Sequence, residues 1–333
     1  MDSDERPGYK KVKTGRGFTY SYYFSAANAG MPVLFFAHGF PSSSFSWRHQ
    51  IKAFQGYGLI VPDMLGYGGT DKPVDPTAYI GSALAQDMVD ILKAEKIGQV
   101  VGIAHDWGTR VLSRLIDYHP ERVSACAFIG AGYGPPNSKG TDPISKSKNL
   151  ADMMGYDIVA YMRFFIEKDV WELIEKNLDS FLDLLYPATP KVWKENMCVD
   201  GGARVWIKHN TRTSLPSWTT QEDRDHQKRE LTAGRMSAPL CWYKVLVEDE
   251  HYEDDAKVSS ERRVVQQPLL FIACTQDCIT RPEFGDETHG QNINVTGNLT
   301  RREVDADHWA VESHPDAINA ILREWIEGLQ GAT

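Results

Sequence analysis

Val100-Val101-Gly102-Ile103-Ala104 runs into His105-Asp106-Trp107-Gly108, and a helix-like stretch from Thr109 to Tyr118 follows. The first five residues are continuously apolar, as in a strand buried on both faces of a parallel sheet. Strand, sharp turn and helix form the context in which an open α/β sheet displays a nucleophile. The residue at the turn is Asp106, with small residues at Ala104 and Gly108. A carboxylate is ionised at neutral pH, so it attacks without first losing a proton. It can displace a leaving group from saturated carbon and become an ester. A plainer use of aspartate at this place is to cap the helix, and the stretch alone does not choose.

The rest of the chain sets the frame for that turn. Val33-Leu34-Phe35-Phe36-Ala37, Gly58-Leu59-Ile60-Val61 and residues 125–129 also read as buried strands. Leu84, Met88, Ile91 and Leu92 recur at helical spacing, as do Val111, Leu112, Leu115 and Ile116. This alternation predicts an α/β fold with a mostly parallel, doubly wound sheet. After Ile129 the buried-strand pattern lapses, and helical segments rich in tryptophan take over. The strand pattern resumes at Pro268-Leu269-Leu270-Phe271-Ile272-Ala273, then a last helix presents Ile318, Ile321, Leu322, Trp325 and Ile326 on one face. The expected organisation is a core from 1–133 and 268–333 that carries a helical cap from 134–267.

Of 333 residues, 42% are hydrophobic and 24% charged, ordinary for a globular protein. The formal charge of −9, with no basic run, argues against nucleic-acid or anionic-membrane binding. Five cysteines without zinc-ligand spacing, Cys274 and Cys278 among them, read as small apolar residues. The acidic start shows no signal peptide, and no apolar stretch reaches the roughly 18 residues of a membrane span. The sequons at Asn294 and Asn298 are then chance matches. A soluble, cytoplasmic protein is expected.

His38-Gly39-Phe40-Pro41 directly follows the strand ending at Ala37. A glycine turn there can set a backbone N–H opposite the nucleophile and, with the N–H of Trp107, form an oxyanion hole. Asp277 comes just after the late strand, and His308 lies in Asp305-Ala306-Asp307-His308-Trp309 before the last helix. Nucleophile, acid, histidine is the chain order of an α/β-hydrolase triad. Each residue alone has a bland use in a turn or loop; the three in this order are harder to explain away.

From about residue 10 to 327 the sequence resembles the epoxide hydrolase branch of the α/β-hydrolase fold family. The resemblance rests on His38 to Pro41, Ser46-Trp47-Arg48, Asp63-Met64-Leu65-Gly66-Tyr67-Gly68, the turn at Asp106 and His308-Trp309. It implies Asp106 as nucleophile, His308 as base, Asp277 as its acid, and an oxyanion hole from the N–H groups of Phe40 and Trp107. It further implies a cis bond before Pro41, and a substrate pocket touched by His38, Pro41, Trp242 and Trp309. Two cap tyrosines would bind the epoxide oxygen. Pro239-Leu240-Cys241-Trp242-Tyr243-Lys244 resembles the motif of the second, and Tyr161-Met162-Arg163-Phe164-Phe165 that of the first, with Tyr156 close by. Leu215-Pro216-Ser217-Trp218 and Asp223 also match the cap pattern. Cys241 and Lys244 depart from the usual asparagine and arginine, and Thr109 from the usual glycine or alanine.

The implied reaction takes a small apolar epoxide and water to a vicinal diol, with no metal or organic cofactor. Phenols suit it, because an opening epoxide develops alkoxide charge that needs a hydrogen-bond donor. A haloalkane dehalogenase shares the aspartate and histidine, but one large group of them takes a second halide donor from an asparagine where this chain has Phe40. A noncatalytic ligand-binding protein on the same fold is the rival of another class.

Overall fold

A computed structural model describes residues 6–137, 151, 152, 154–292 and 299–331. Asn294 and Asn298 of the two sequons lie outside these residues. The chain divides into two compact units: Met1–Asp71, Gly81–Pro136 and Lys257–Thr333 form the first, Lys72–Ile80 and Asn137–Ala256 the second. This division differs from the expected one in three places. Lys72–Ile80 joins the second unit, and residues 134–136 and 257–267 join the first. None of these segments carries a long apolar run, so periodicity had nothing to assign them by.

Unit 1 is built on an eight-stranded sheet. Its strands are β1 (Tyr9–Lys13), β2 (Thr19–Ser25), β3 (Val33–Ala37), β4 (Gly58–Pro62), β5 (Val100–His105), β6 (Val123–Ile129), β7 (Leu269–Cys274) and β8 (Leu299–Val304). Their spatial order is β1-β2-β4-β3-β5-β6-β7-β8. From β4 to β8 every pairing is parallel, while β1 and β2 add an antiparallel edge. The expected runs are the central strands, and β4, β5 and β7 are buried at every residue. Three strands at or next to the sheet edges had no such signature: β1 is half-buried, β2 mixes tyrosine with serine, and β8 is mostly exposed.

The helix Pro315–Gln330 buries Ile318, Leu322, Trp325 and Ile326 in the same hydrophobic core as Leu34, Phe36, Val101 and Ile103 of the sheet. Each such side chain taken out of water contributes about 1.5–3 kcal/mol. The helices Gly81–Ala94 and Trp107–Tyr118 bury the two apolar stripes read from the sequence. The five cysteines are buried, as small apolar residues are.

Unit 2 holds only helices and turns among its described residues. The helices Ala160–Phe165, Leu178–Leu185, Gln221–Gly234 and Cys241–Lys244 are the ones that bear on function. Asp223 has a structural task here: it closes a capping box with Thr220 at the start of Gln221–Gly234.

Because β3 pairs with β4 on one side and β5 on the other, the winding direction reverses between β3 and β5. The carboxyl ends of strands flanking such a reversal are where open α/β sheets place ligands. His38 to Phe40 follow β3, and Asp106 follows β5.

Candidate active site

Asp106 has φ 52° and ψ −128°, a backbone conformation that a non-glycine residue adopts at a cost of about 1–3 kcal/mol. The cost is borne because the chain must turn from β5 into the helix Trp107–Tyr118 within one residue. Gly108 allows the turn to sit against β3, since a Cβ there would lie 2.1 Å from the Ala37 carbonyl oxygen. Asp106 stands at the helix N-cap position, yet its side chain makes no capping bond. The carboxylate turns elsewhere.

Its Oδ1 accepts the Phe40 N–H at 2.7 Å, and the Trp107 N–H also donates to the carboxylate. Gly39 makes room for this approach, because a Cβ at that position would stand 2.0 Å from Asp106 Oδ1. The Phe40–Pro41 peptide is cis, and Pro41 is buried. Both N–H groups named from the sequence therefore converge on one carboxylate.

On the other side of Asp106 stands His308. Its Nε2 is 3.5 Å from Asp106 Oδ2, and its Nδ1 is 2.7 Å from Asp277 Oδ2. Asp277 is fixed in turn: Oδ1 accepts the N–H groups of Ile279 (2.9 Å) and Thr280 (3.0 Å), and Oδ2 the Thr280 hydroxyl. The three side chains come from the ends of β5, β7 and β8, brought together only by the sheet.

Burial works against charge on all three, and their mutual attraction overcomes it. Burial pushes the Asp277 carboxyl up, but His308 and the Thr280 and Ile279 donors hold it down to about 2. Burial likewise raises Asp106, while His308, His105 and the Trp107 N–H bring it below the ordinary carboxylate range. His308 would lose its proton more readily on burial alone, yet Asp277 and Asp106 push it up to about 10. The resting site is a cation between two anions.

The sequence reading gave no role to the residues behind these groups. His105 Nε2 donates to the His308 carbonyl at 2.7 Å, with the two rings 4.7 Å apart. Burial and the neighbouring His308 hold His105 down to about 4, so it stays neutral at pH 7. Arg48 pairs with Glu312 at 2.5 Å, and Gln50 donates to the Val311 carbonyl, tying down the segment that follows His308. Only Thr280 left a trace in the sequence: a hydroxyl three residues after an aspartate suits a side-chain-bonded turn.

Trp309 is 1% exposed and packs its ring against His105 and His308. His38 is equally buried, and both its ring nitrogens are taken by backbone: Nδ1 by the Gly39 carbonyl and Nε2 by the Met64 N–H, each at 2.9 Å. That leaves neither nitrogen for a ligand. Among the described residues no group of three His, Cys, Asp or Glu is arranged to hold a metal ion.

In unit 2, Tyr161 and Tyr243 meet edge to face, with ring centroids 5.8 Å apart at 87°. Phe165 packs on both, 5.6 Å from Tyr161 and 4.9 Å from Tyr243. Tyr156 instead lies beneath the Lys194 ammonium, 4.8 Å from its ring. Trp242, next to Tyr243 in the chain, packs against Tyr79 at 5.6 Å. Cys241 is buried and donates to the Ser237 carbonyl, so this departure from the family motif is filled by a small apolar group.

Comparisons with known proteins agree with this fold. A family described as "alpha/beta hydrolase fold" matches residues 32–170. Epoxide hydrolase A of Mycobacterium tuberculosis is 29% identical over 317 residues, which cover 92% of this chain and 93% of that protein. Bifunctional epoxide hydrolase 2 of Sus scrofa is 27% identical over 96% of this chain, which spans only 55% of that longer protein. The crystal structure of epoxide hydrolase A from Mycobacterium thermoresistibile superposes with a TM-score of 0.79 at 26% identity, covering 97% of this chain and 99% of that one. The chain has the α/β-hydrolase fold and is similar in sequence and structure to these epoxide hydrolases.

Proposed function

We propose that the chain hydrolyses an epoxide to a vicinal diol through an ester on Asp106. One observation carries the reading: an ionised aspartate, strained at a strand–helix turn, is bonded to two backbone N–H groups and faces a histidine–aspartate pair. The names of the relatives support it.

In the first half-reaction Asp106 attacks a ring carbon, the C–O bond breaks, and the ring oxygen leaves as an alkoxide that must take up a proton. Tyr161 and Tyr243 are assigned to that oxygen as donors. Esterification discharges Asp106 and removes one of the two anions that hold the proton on His308. Its hold weakens when the step requires it, and charge balances when this proton makes good the one taken by the alkoxide. Neutral His308, oriented by Asp277, then deprotonates water, and the resulting hydroxide attacks the ester carbonyl. The tetrahedral anion is stabilised by the N–H groups of Phe40 and Trp107. Its collapse frees the diol, restores the Asp106 carboxylate and leaves His308 charged again.

The oxygen added to product thus comes from Asp106. In one turnover in heavy-oxygen water with enzyme in excess, the first diol should be unlabelled and the protein should gain the label. Label in the first diol with none in the protein would overturn the ester mechanism. Failure to release diol from a panel of apolar epoxides, with chloride or bromide released from haloalkanes instead, would favour dehalogenation.

A further inference from the structure

We infer that His38 is a positioning residue that aims the Phe40 N–H at Asp106, an inference that rests on the proposed role of that N–H in ester hydrolysis. The connection is a single peptide group. The Gly39 carbonyl and the Phe40 N–H belong to the same trans peptide, so they point in opposite directions. Whatever fixes the carbonyl on one side fixes the N–H on the other. His38 Nδ1 lies 2.9 Å from that carbonyl oxygen, and the N–H on the far side reaches Asp106 Oδ1 at 2.7 Å. The Ser42 N–H also donates to the same carbonyl, at 3.1 Å, so His38 supplies the side-chain member of two converging donors.

The tautomer of His38 is determined by its second contact. The Met64 N–H can only donate, so Nε2, 2.9 Å away, must be the unprotonated acceptor and Nδ1 must carry the hydrogen. Met64 itself cannot drift. The preceding Asp63 carboxylate accepts the Ser44 N–H and hydroxyl (3.0 and 2.6 Å), the Gly69 N–H (2.9 Å) and the Arg6 guanidinium (2.6 Å). The Tyr67 ring meets the imidazole edge to face at 5.2 Å. A chain of contacts therefore runs from the turn after β4, through a buried imidazole, to the N–H facing the nucleophile. His38 acts through the peptide, not on the substrate.

This placement predicts a selective effect. In ester formation the carboxylate brings its own charge and needs little from the Phe40 N–H. In ester hydrolysis, new negative charge develops on the ester's carbonyl oxygen, and a misaimed donor should be felt. The test separates the two steps in single turnovers of full-length protein with styrene oxide as probe, following ester by mass and diol by chromatography.

His38→Phe lacks both contacts, His38→Gln places a carbonyl near the Nε2 position, and His38→Asn places an amide N–H near the Nδ1 position. Ester hydrolysis should slow by about 10–100-fold in His38→Phe and His38→Gln, less than the ~10²–10³ for deleting a donor outright, with ester formation within about threefold of the parent. His38→Asn should recover most of the loss. Equal slowing of both steps, unchanged hydrolysis in His38→Phe, or no rescue by His38→Asn would overturn the inference.

A measurement on the unaltered protein guards against variants that fail to fold. Nitrogen-15 shifts of His38 at pH 7 should show a protonated Nδ1 and a bare Nε2, and the opposite tautomer or an imidazolium would refute it. The underlying reading is tested apart, by whether His308→Gln forms any ester at all. An ester there, with hydrolysis indifferent to His38, would sink the positioning role and leave the mechanism standing.

Discussion

The triad of unit 1 and the tyrosine pair of unit 2 have different surroundings. Asp277 receives two backbone N–H groups, a hydroxyl and an imidazole, and Asp106 receives two backbone N–H groups and faces His308. Such contacts are directional: a change of a few tenths of an ångström or of one proton alters them. Tyr161 and Tyr243 sit in a cluster of rings, with Phe165 against both and Phe181 6.2 Å behind Phe165. Ring packing is broad in angle and forgiving of small chemical change. The first region is thus rich in buried charge and the second in packed rings. Substitutions and pH should distinguish them.

The largest effect is expected in unit 1. Asp106→Asn removes the proposed nucleophile and should lower turnover by at least about 10⁴-fold, measured as diol formation at saturating epoxide. His308→Gln should leave ester formation nearly intact while slowing hydrolysis by about 10²–10⁴-fold, so that protein mass rises by that of the bound epoxide. A variant that makes neither ester nor diol, though folded, would show that His308 is needed before the attack.

Smaller losses are expected from single changes in the tyrosine pair. Tyr161→Phe and Tyr243→Phe should each slow ester formation by about 10–1,000-fold with hydrolysis of preformed ester unchanged, and the double variant should show no turnover. Because phenylalanine keeps the ring packing, these variants should melt close to the parent. Tyr156→Phe should be near the parent in rate, and a loss there with Tyr161→Phe fully active would reverse the pairing.

The smallest effect, and the one that most sharpens the contrast, is the pH dependence of stability. His308 is held at about 10, above its ordinary 6.5, so its ion pairs contribute fully below about pH 6.5. That contribution fades as pH rises toward the folded value, because the unfolded chain releases the proton first. Asp277, held down to about 2, has the opposite sign: its contribution is present above about 3.9 and lost as pH falls. Urea midpoints of the parent and His308→Gln should therefore differ most near pH 6 and converge only as pH rises through about 10, whereas Tyr243→Phe should follow the parent throughout. A gap between parent and His308→Gln that widens with pH would refute the ion-pair account.

Local sequence determined much of this molecule. The central strands β3 to β7 are legible because a strand buried on both faces needs an unbroken apolar run, and the strand–turn–helix at Asp106 is legible because its residues are contiguous. The strands β1, β2 and β8 were not: β1 and β8, at the sheet edges, tolerate Lys10 and Arg301, and β2 breaks its run with the buried Ser21, whose hydroxyl accepts from Arg6. Tertiary structure alone decided the rest. The sequence holds Asp106, Asp277 and His308 in an order but not at 2.7 and 3.5 Å, because those distances arise from pairing β5, β6, β7 and β8 side by side. It shows the histidine of His38-Gly39-Phe40-Pro41 but not its task, because the partner that sets its tautomer is a backbone N–H 26 residues away. Backbone donors have no signature in a sequence, since every residue but proline carries one.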